Sequence, residues 1–271
     1  MRLMTYNILT GGRDGQDDAR LAKICELISG VQPDILVLNE CNGFDERGRR
    51  NLYRLENELG MRGVLARAST GYHVCLFVRS ARLVEVHCLD QEVHHAVLAA
   101  TLDIGGQRLT IVGAHLSPFG GEARLVEVQH LIRFLREEHV FVLGDLNSVS
   151  PRDAAACRTD DWIPRRRSRH LLFDGSLPQS AEPGAAPRID TRAIAALEHS
   201  ELVDAFASAE GGFAPTMLTR LCSDWASYQV RIDYIFATRS AAERIVRRER
   251  VDGAFADAAS DHYPLFVDVS Y

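Results

Sequence analysis

Apolar residues along the 271-residue chain follow two spacings. Short runs that end on a polar side chain predict buried strands, and apolar positions three and four apart predict helices facing a core. Strand-like runs cover 2–8, 33–40, 62–67, 72–79, 82–89, 96–104, 107–115, 139–144, 229–237 and 264–270. Helical spacing covers 17–30, where Leu21, Ile24, Cys25, Leu27 and Ile28 share a face and Gly30 gives a stop. It recurs over 51–60, over 121–138 through Leu125, Val128, Leu131, Ile132 and Leu135, and near 190–198. Gly-Gly-Gln at 105–107 marks a hairpin turn. Strands alternating with helices, together with meandering hairpins, predict a mixed α/β sandwich, read as one domain over 1–271.

Residues 151–188 break the pattern. They are rich in Pro, Arg, Ala and Ser, with Pro-Arg-Arg-Arg-Ser-Arg-His at 164–170. The stretch is expected to be an elaborated loop. Its Arg165–Arg169 cluster reads either as a solvated face or as a grip on a polyanion.

Composition narrows the function classes. The chain is 46% hydrophobic and 25% charged, an ordinary globular balance. A net charge of −6 argues against nucleic-acid binding through indiscriminate positive charge, but leaves room for a local basic cleft. No apolar run reaches the length of a membrane span, and the first residues lack the apolar core of a signal peptide. Six scattered cysteines (Cys25, Cys41, Cys75, Cys88, Cys157, Cys222) form no C-x-x-C pair. A zinc site is therefore not expected; reduced core thiols in a cytoplasm are. No feature indicates an obligate protein partner.

Candidate chemistry sits at the strand ends. Asn7 closes the first apolar run, Glu40 the second, and His115 the run 107–115. The stretch Val-Phe-Val-Leu-Gly-Asp-Leu-Asn at 140–147 ends in Asp145 and Asn147. In an open α/β sheet, ligands bind at the carboxyl ends of strands. Asp233 lies in Arg-Ile-Asp-Tyr, and Asp261 and His262 precede the last strand. Singly, each has an ordinary reading as a turn former, a solvated end or a hydrogen-bonded core residue. Jointly they supply carboxylates, amides and imidazoles with no thiolate, which suits Mg²⁺, Mn²⁺ or Ca²⁺ better than zinc. An Asp beside a His fixes the imidazole's orientation and stabilises its protonated form. These are the parts needed to hydrolyse a phosphate ester.

In this order, Thr-Tyr-Asn, Asn-Glu, Ala-His-Leu, Gly-Asp-Leu-Asn-Ser, Arg-Ile-Asp-Tyr-Ile-Phe and Ser-Asp-His-Tyr-Pro-Leu resemble the endonuclease/exonuclease/phosphatase superfamily, from Asn7 to His262. The resemblance implies a deoxyribonuclease-I-like, four-layer α/β sandwich with two central mixed sheets flanked by helices. It implies a Mg²⁺- or Mn²⁺-dependent phosphoesterase. Glu40 would be the principal metal carboxylate, with Asn7 and Asp261 near the ion. Asp145 would orient the attacking water or assist the leaving oxygen, and Asn147 would hold a phosphate oxygen. His262, paired with Asp233, would be a general base or a phosphate donor. His115 would donate to the phosphate or protonate the leaving group.

The chain departs from the family pattern at three places. Asn39 stands where Gln usually precedes the metal Glu, which shortens the amide's reach. His115 replaces the phenol region typical of exonuclease-III-like enzymes, and Val230 replaces the Trp that lines their abasic pocket. Both point away from an abasic-site endonuclease. The expected substrate is a nucleic-acid or nucleotide diester, with DNA or RNA as partner and Arg124, Arg152 and the Arg165–Arg169 cluster as phosphate contacts. The alternatives are a small phosphorylated molecule, with 151–188 as a lid, and a non-catalytic binding module.

Overall fold

The structure is a computed structural model that describes residues 1–157, 169–172, 188–207, 214–225 and 228–270. Much of the expected 151–188 loop, with Arg165, Arg166 and Arg167, lies outside the described residues.

Twelve strands form two six-stranded sheets. The first sheet contains β1 (Arg2–Asn7), β2 (Ile35–Asn39), β3 (Arg62–Ala66), β4 (Val74–Val78), β11 (Ile245–Arg250) and β12 (Leu265–Val269), ordered β11-β12-β1-β2-β4-β3. The second contains β5 (Arg82–Leu89), β6 (Ala96–Ile104), β7 (Gln107–His115), β8 (Val140–Asp145), β9 (Leu202–Asp204) and β10 (Asp233–Thr238), ordered β5-β6-β7-β8-β10-β9. Both are mixed: β1–β2 and β7–β8 run parallel, while β1–β12 and β8–β10 run antiparallel.

Three apolar clusters make four layers. Leu3, Val37, Leu76, Leu98, Ile111, Leu143, Ile235 and Val267 fill the seam between the sheets. Helices α1 (Ala19–Val31) and α2 (Arg50–Leu59) cover the outer face of the first sheet, packing Ile24, Ile28 and Leu55 on Met4, Leu36 and Leu38. Helices α3 (Gly121–Ile132) and α4 (Arg192–His199) cover the second, packing Val128, Leu131 and Ile194 on Val97, Val112 and Val142. Central strands are thus buried on both faces, which is why β2 and β8 read as unbroken apolar runs rather than alternating ones. Each fully buried Leu or Ile contributes about 1.5–3 kcal/mol. Among the described residues, no helix is long and apolar enough to cross a membrane.

Side-chain alternation places the polar strand ends. Leu3, Val37, Ile111, Leu143 and Ile235 point into the seam. With a period of two, Asn7, Asn39, His115, Asp145 and Asp233 fall on the same inner faces. They stand at one end of the seam, where register pairs Asn7 with Asn39, His115 with Asp145, and Asp233 with Asp145.

The hairpin at Gly105 and Gly106 closes β6 onto β7 with Ile104 opposite Gln107. Both glycines have positive φ (60° and 89°), as a two-residue type I′ turn requires. Several boundaries differ from the sequence reading. Helix α3 stops at Ile132, because Phe134 and Leu135 tighten into turns by donating to Leu131 and Ile132 three residues back. β10 begins at Asp233, since the residues before it pair instead with the segment around Met217. Strands β9 and β11 have no counterpart in the sequence reading; β9 is only three residues long, and β11 carries Arg-Arg-Glu-Arg on a sheet edge. Of the cysteines, Cys25, Cys41 and Cys75 are core thiols, whereas Cys88 is exposed and Cys157 and Cys222 are half-buried.

Candidate active site

At the polar end of the seam, Asn7 links the two sheets. Its Nδ2 donates to Glu40 Oε1 (3.2 Å) and to Asp145 Oδ2 (3.0 Å), while its Oδ1 accepts from the Leu9 N–H (3.1 Å). Asn39 makes a second link, donating to the Ala114 carbonyl (2.9 Å) and accepting from the Asp145 N–H (3.1 Å). The shorter amide therefore spans the seam without the extra carbon of a Gln.

Glu40 sits just past β2 in a left-handed conformation (φ 59°), and its Oε2 accepts from the Thr10 N–H (2.9 Å). Burial pushes its carboxyl above the usual range, and nearby Asp261 adds to the effect. Asp145 ends β8 directly after Gly144. There φ is 143°, and a Cβ would stand 1.9 Å from the Ala114 carbonyl oxygen, so only glycine lets β8 approach β7 here. Burial, then Asp233, push Asp145 up to about 7, against the pull of His262. Asn147 follows at φ 49°; its N–H donates to Asp145 Oδ1 (2.9 Å) and its Nδ2 to the Leu116 carbonyl (2.9 Å). An amide nitrogen carries two hydrogens, so one remains for a ligand.

His262 Nδ1 lies 2.8 Å from Asp233 Oδ2, and Asp233 is fixed through its own N–H to Thr216 Oγ1 (3.1 Å). Burial alone would lower the His262 pKa, but Asp233, Asp261 and Asp145 outweigh it and hold the imidazole well above its ordinary value. Its Nε2 stands 3.9 Å from both Asp145 Oδ2 and Asp261 Oδ1. His115 Nε2 is 3.6 Å from Asp145 Oδ2, and its Nδ1 is buried with no hydrogen-bond partner among the described residues. Burial, then His95 and His262, hold His115 well below the ordinary histidine value, so it is neutral.

Glu40, His115, Asp145, Asn147, Asp261 and His262 line a cleft of about 300 Å³. Asn7 and Asp233 stand behind them, each bonded to a cleft residue. Among the described residues, Asp145, Asp233 and His262 form a buried group whose ligand atoms lie within 4.8 Å of one another. Within it, Asp233 and His262 already bond each other. Glu40, Asp145 and Asp261 carry no Lys or Arg partner among the described residues. Three converging carboxylates short of positive charge, with amide oxygens nearby and no thiolate, suit a hard divalent cation.

Arg124 is a correction. It is fully buried, and its guanidinium donates to the carbonyls of Ser117 (3.2 Å), Phe119 (3.0 Å) and Arg169 (2.6 Å) rather than facing the cleft. Arg152 pairs with Glu198 at 3.2 Å on the surface. Sequence reading missed Tyr72, His94, His95 and Phe119, which also line the cleft. The signal was the doublet His94-His95, placed beside His115 by the pairing of Ala96 with His115.

Two mixed sheets sandwiched by helices, with polar residues gathered at one end of the seam, define the deoxyribonuclease-I-like fold. The profile of the Endonuclease/Exonuclease/phosphatase family matches residues 4–262, and the chain belongs to that family. It is a phosphoesterase of this superfamily. Among solved structures it is similar to a variant of the 3′ phosphatase NExo from Neisseria bound to a product DNA hairpin. That match has 17% identity over 100% of both chains and a TM-score of 0.71. An AP endonuclease from Archaeoglobus fulgidus is also similar (17% identity, 100% of both chains, TM-score 0.68). So is the human Nocturnin catalytic domain with bound sulfate (19% identity, 100% of this chain and 93% of that one, TM-score 0.62). At these identities the likeness is one of fold. No curated protein matches the chain.

Proposed function

We propose that the chain is a divalent-metal-dependent hydrolase that cleaves a phosphodiester of a nucleic acid or nucleotide by attack of water. The observation that carries this reading is the convergence, at one cleft, of three carboxylates without Lys or Arg partners among the described residues and a His262 held above its ordinary pKa. Glu40 would hold Mg²⁺ or Mn²⁺, with Asn7 and Asp261 beside it. When bound, the ion would offset negative charge on the phosphoryl oxygens.

The remaining chemistry belongs to the side chains. Asn147 donates to a phosphoryl oxygen through its second amide hydrogen. His262, braced by Asp233, donates from Nε2 to the same group or serves as the general base. Asp145 accepts a proton from the attacking water, or orients that water, once it is ionised. Neutral His115 offers a donor to the phosphate or to the leaving oxygen.

That the NExo neighbour is a 3′ phosphatase bound to a DNA product and the Archaeoglobus neighbour an AP endonuclease supports a nucleic-acid phosphate ester as substrate. A second reading, a small phosphorylated molecule, draws on the cleft itself: about 300 Å³ takes one small ligand rather than a duplex. The test is hydrolysis of bis-p-nitrophenyl phosphate with Mg²⁺, with Mn²⁺ and with EDTA, followed by a panel of plasmid, single-stranded DNA, RNA, phosphotyrosyl-DNA, inositol phosphates and nucleotides. Chelation and Glu40→Gln should each reduce turnover to background while thermal unfolding remains cooperative. Undiminished turnover in EDTA would sink the proposal.

A further inference from the structure

We propose that the wall formed by Tyr72, His94, His95 and Phe119 binds a planar ring: the nucleobase of the nucleotide whose phosphate lies at Asn147 and His262. This rests on the nucleotide-ester reading above and adds the residues that hold the base.

The wall is a continuous series of rings running from the cleft mouth to its floor. Phe119 stands edge-on to His94 (centroids 5.1 Å), His94 to His95 (4.5 Å), and His95 stacks on His115 at 4.2 Å and 26°. Tyr72 leans on His95 at 5.1 Å. His95 is locked by Thr70 Oγ1 at 2.8 Å from its Nδ1. Burial, with His94 adding to it, lowers the His95 pKa to about 3, so the ring is uncharged. At the rim, Phe119 leaves 55% of its surface exposed. Met217, Tyr228 and Ile232 also line the cleft. A slot with ring and apolar sides and a polar floor has the make-up of a site for a flat, largely apolar group attached to an anion.

Helix α3 builds this wall with two buried charges. Glu127 accepts from the His94 N–H (2.6 Å) through one oxygen and from the Ser117 N–H (2.7 Å) through the other. Arg124, one turn earlier, holds the carbonyls of Ser117 and Phe119. Glu127 is 4% exposed and Arg124 fully buried. Burying such groups is costly unless their bonds are made. Here the carboxylate bonds, and two of the guanidinium's three, go to the two loops that present the rings. The wall is therefore fixed before a ligand arrives, and stacking needs little reordering. A paired base inside a duplex cannot enter a slot of about 300 Å³. The accepted base is unpaired: a strand end, a single strand or a free nucleotide.

The experiment is calorimetric titration of Asp145→Asn protein, which should bind without turnover, in Mg²⁺ with AMP, ribose 5-phosphate and phenyl phosphate. AMP should bind about fivefold tighter than ribose 5-phosphate, or more, as base–aromatic stacking does elsewhere. Phe119→Ala and His94→Ala should each move that ratio toward one. Equal affinity of AMP and ribose 5-phosphate overturns the wall, while the phosphate reading stands as long as inorganic phosphate displaces the sugar phosphate. Phenyl phosphate matching AMP overturns the nucleobase assignment in favour of a phenolic ester. If no phosphate compound binds, the phosphate site at Asn147 and His262 fails and takes the wall with it.

Discussion

Arg231 and Asp233, two residues apart, feed two buried ionic clusters that differ in one respect. Arg231 is 5% exposed; its Nε donates to Asp153 (2.7 Å), and its Nη1 sits 2.7 Å from Asp204, an ion pair rather than an aligned hydrogen bond. Its guanidinium also lies over the Tyr234 ring at 4.6 Å. Two carboxylates there close on a permanent cation. On the other side, Asp233 joins Asp145, Asp261 and Glu40, and among the described residues the internal counter-charge is the imidazole of His262. The first cluster is self-sufficient, whereas the second holds no Lys or Arg ion pair among the described residues. Burial of acids is common to both, so burial does not separate them; the lack of a Lys or Arg ion pair among the described residues does.

That contrast can be tested from its largest effect downward. His262→Ala should cost roughly 10² to 10⁴ in turnover if it moves a proton. A rate within a few-fold of the parent on bis-p-nitrophenyl phosphate would make it a bystander. Arg231→Met should act on stability instead. It strands Asp153 and Asp204 in the interior, and breaking a buried pair this way costs about 3–5 kcal/mol. Urea unfolding reads the loss, and an unchanged midpoint would show that the cluster is not self-sufficient.

The third effect is in pH. Asp145 takes up protons more readily folded than unfolded, because its pKa is raised from 3.8 to about 7. Its contribution to stability is therefore full below about pH 4 and fades as pH rises through 7. Without metal, the melting temperature should fall over that window, and Asp145→Asn should flatten the fall. A slope identical in the variant would assign the titration elsewhere.

Much of this was legible in the sequence, for physical reasons. Strand parity is strict, so a polar residue an even number of positions from Leu143 or Val37 had to share their face. Asn7, Glu40, His115 and Asp145 were visible because each closes an apolar run. The unread parts lacked a periodic signal. β11 is charged along an edge and β9 too short to show alternation. Arg124 looked like a free cation because its partners are backbone carbonyls, which no side-chain pattern announces. The ring wall was hidden because its members come from separate loops tied together by Glu127.

The two amides that tie β1 and β2 to β8 have a consequence for when activity arises. Asn7 belongs to the first strand of the chain, and Asp261 and His262 arrive just ahead of the last. Ser260 Oγ donates to the Asn7 carbonyl (2.7 Å), fastening together residues 253 positions apart. A growing chain on the ribosome thus cannot assemble this cleft until residue 262 has emerged.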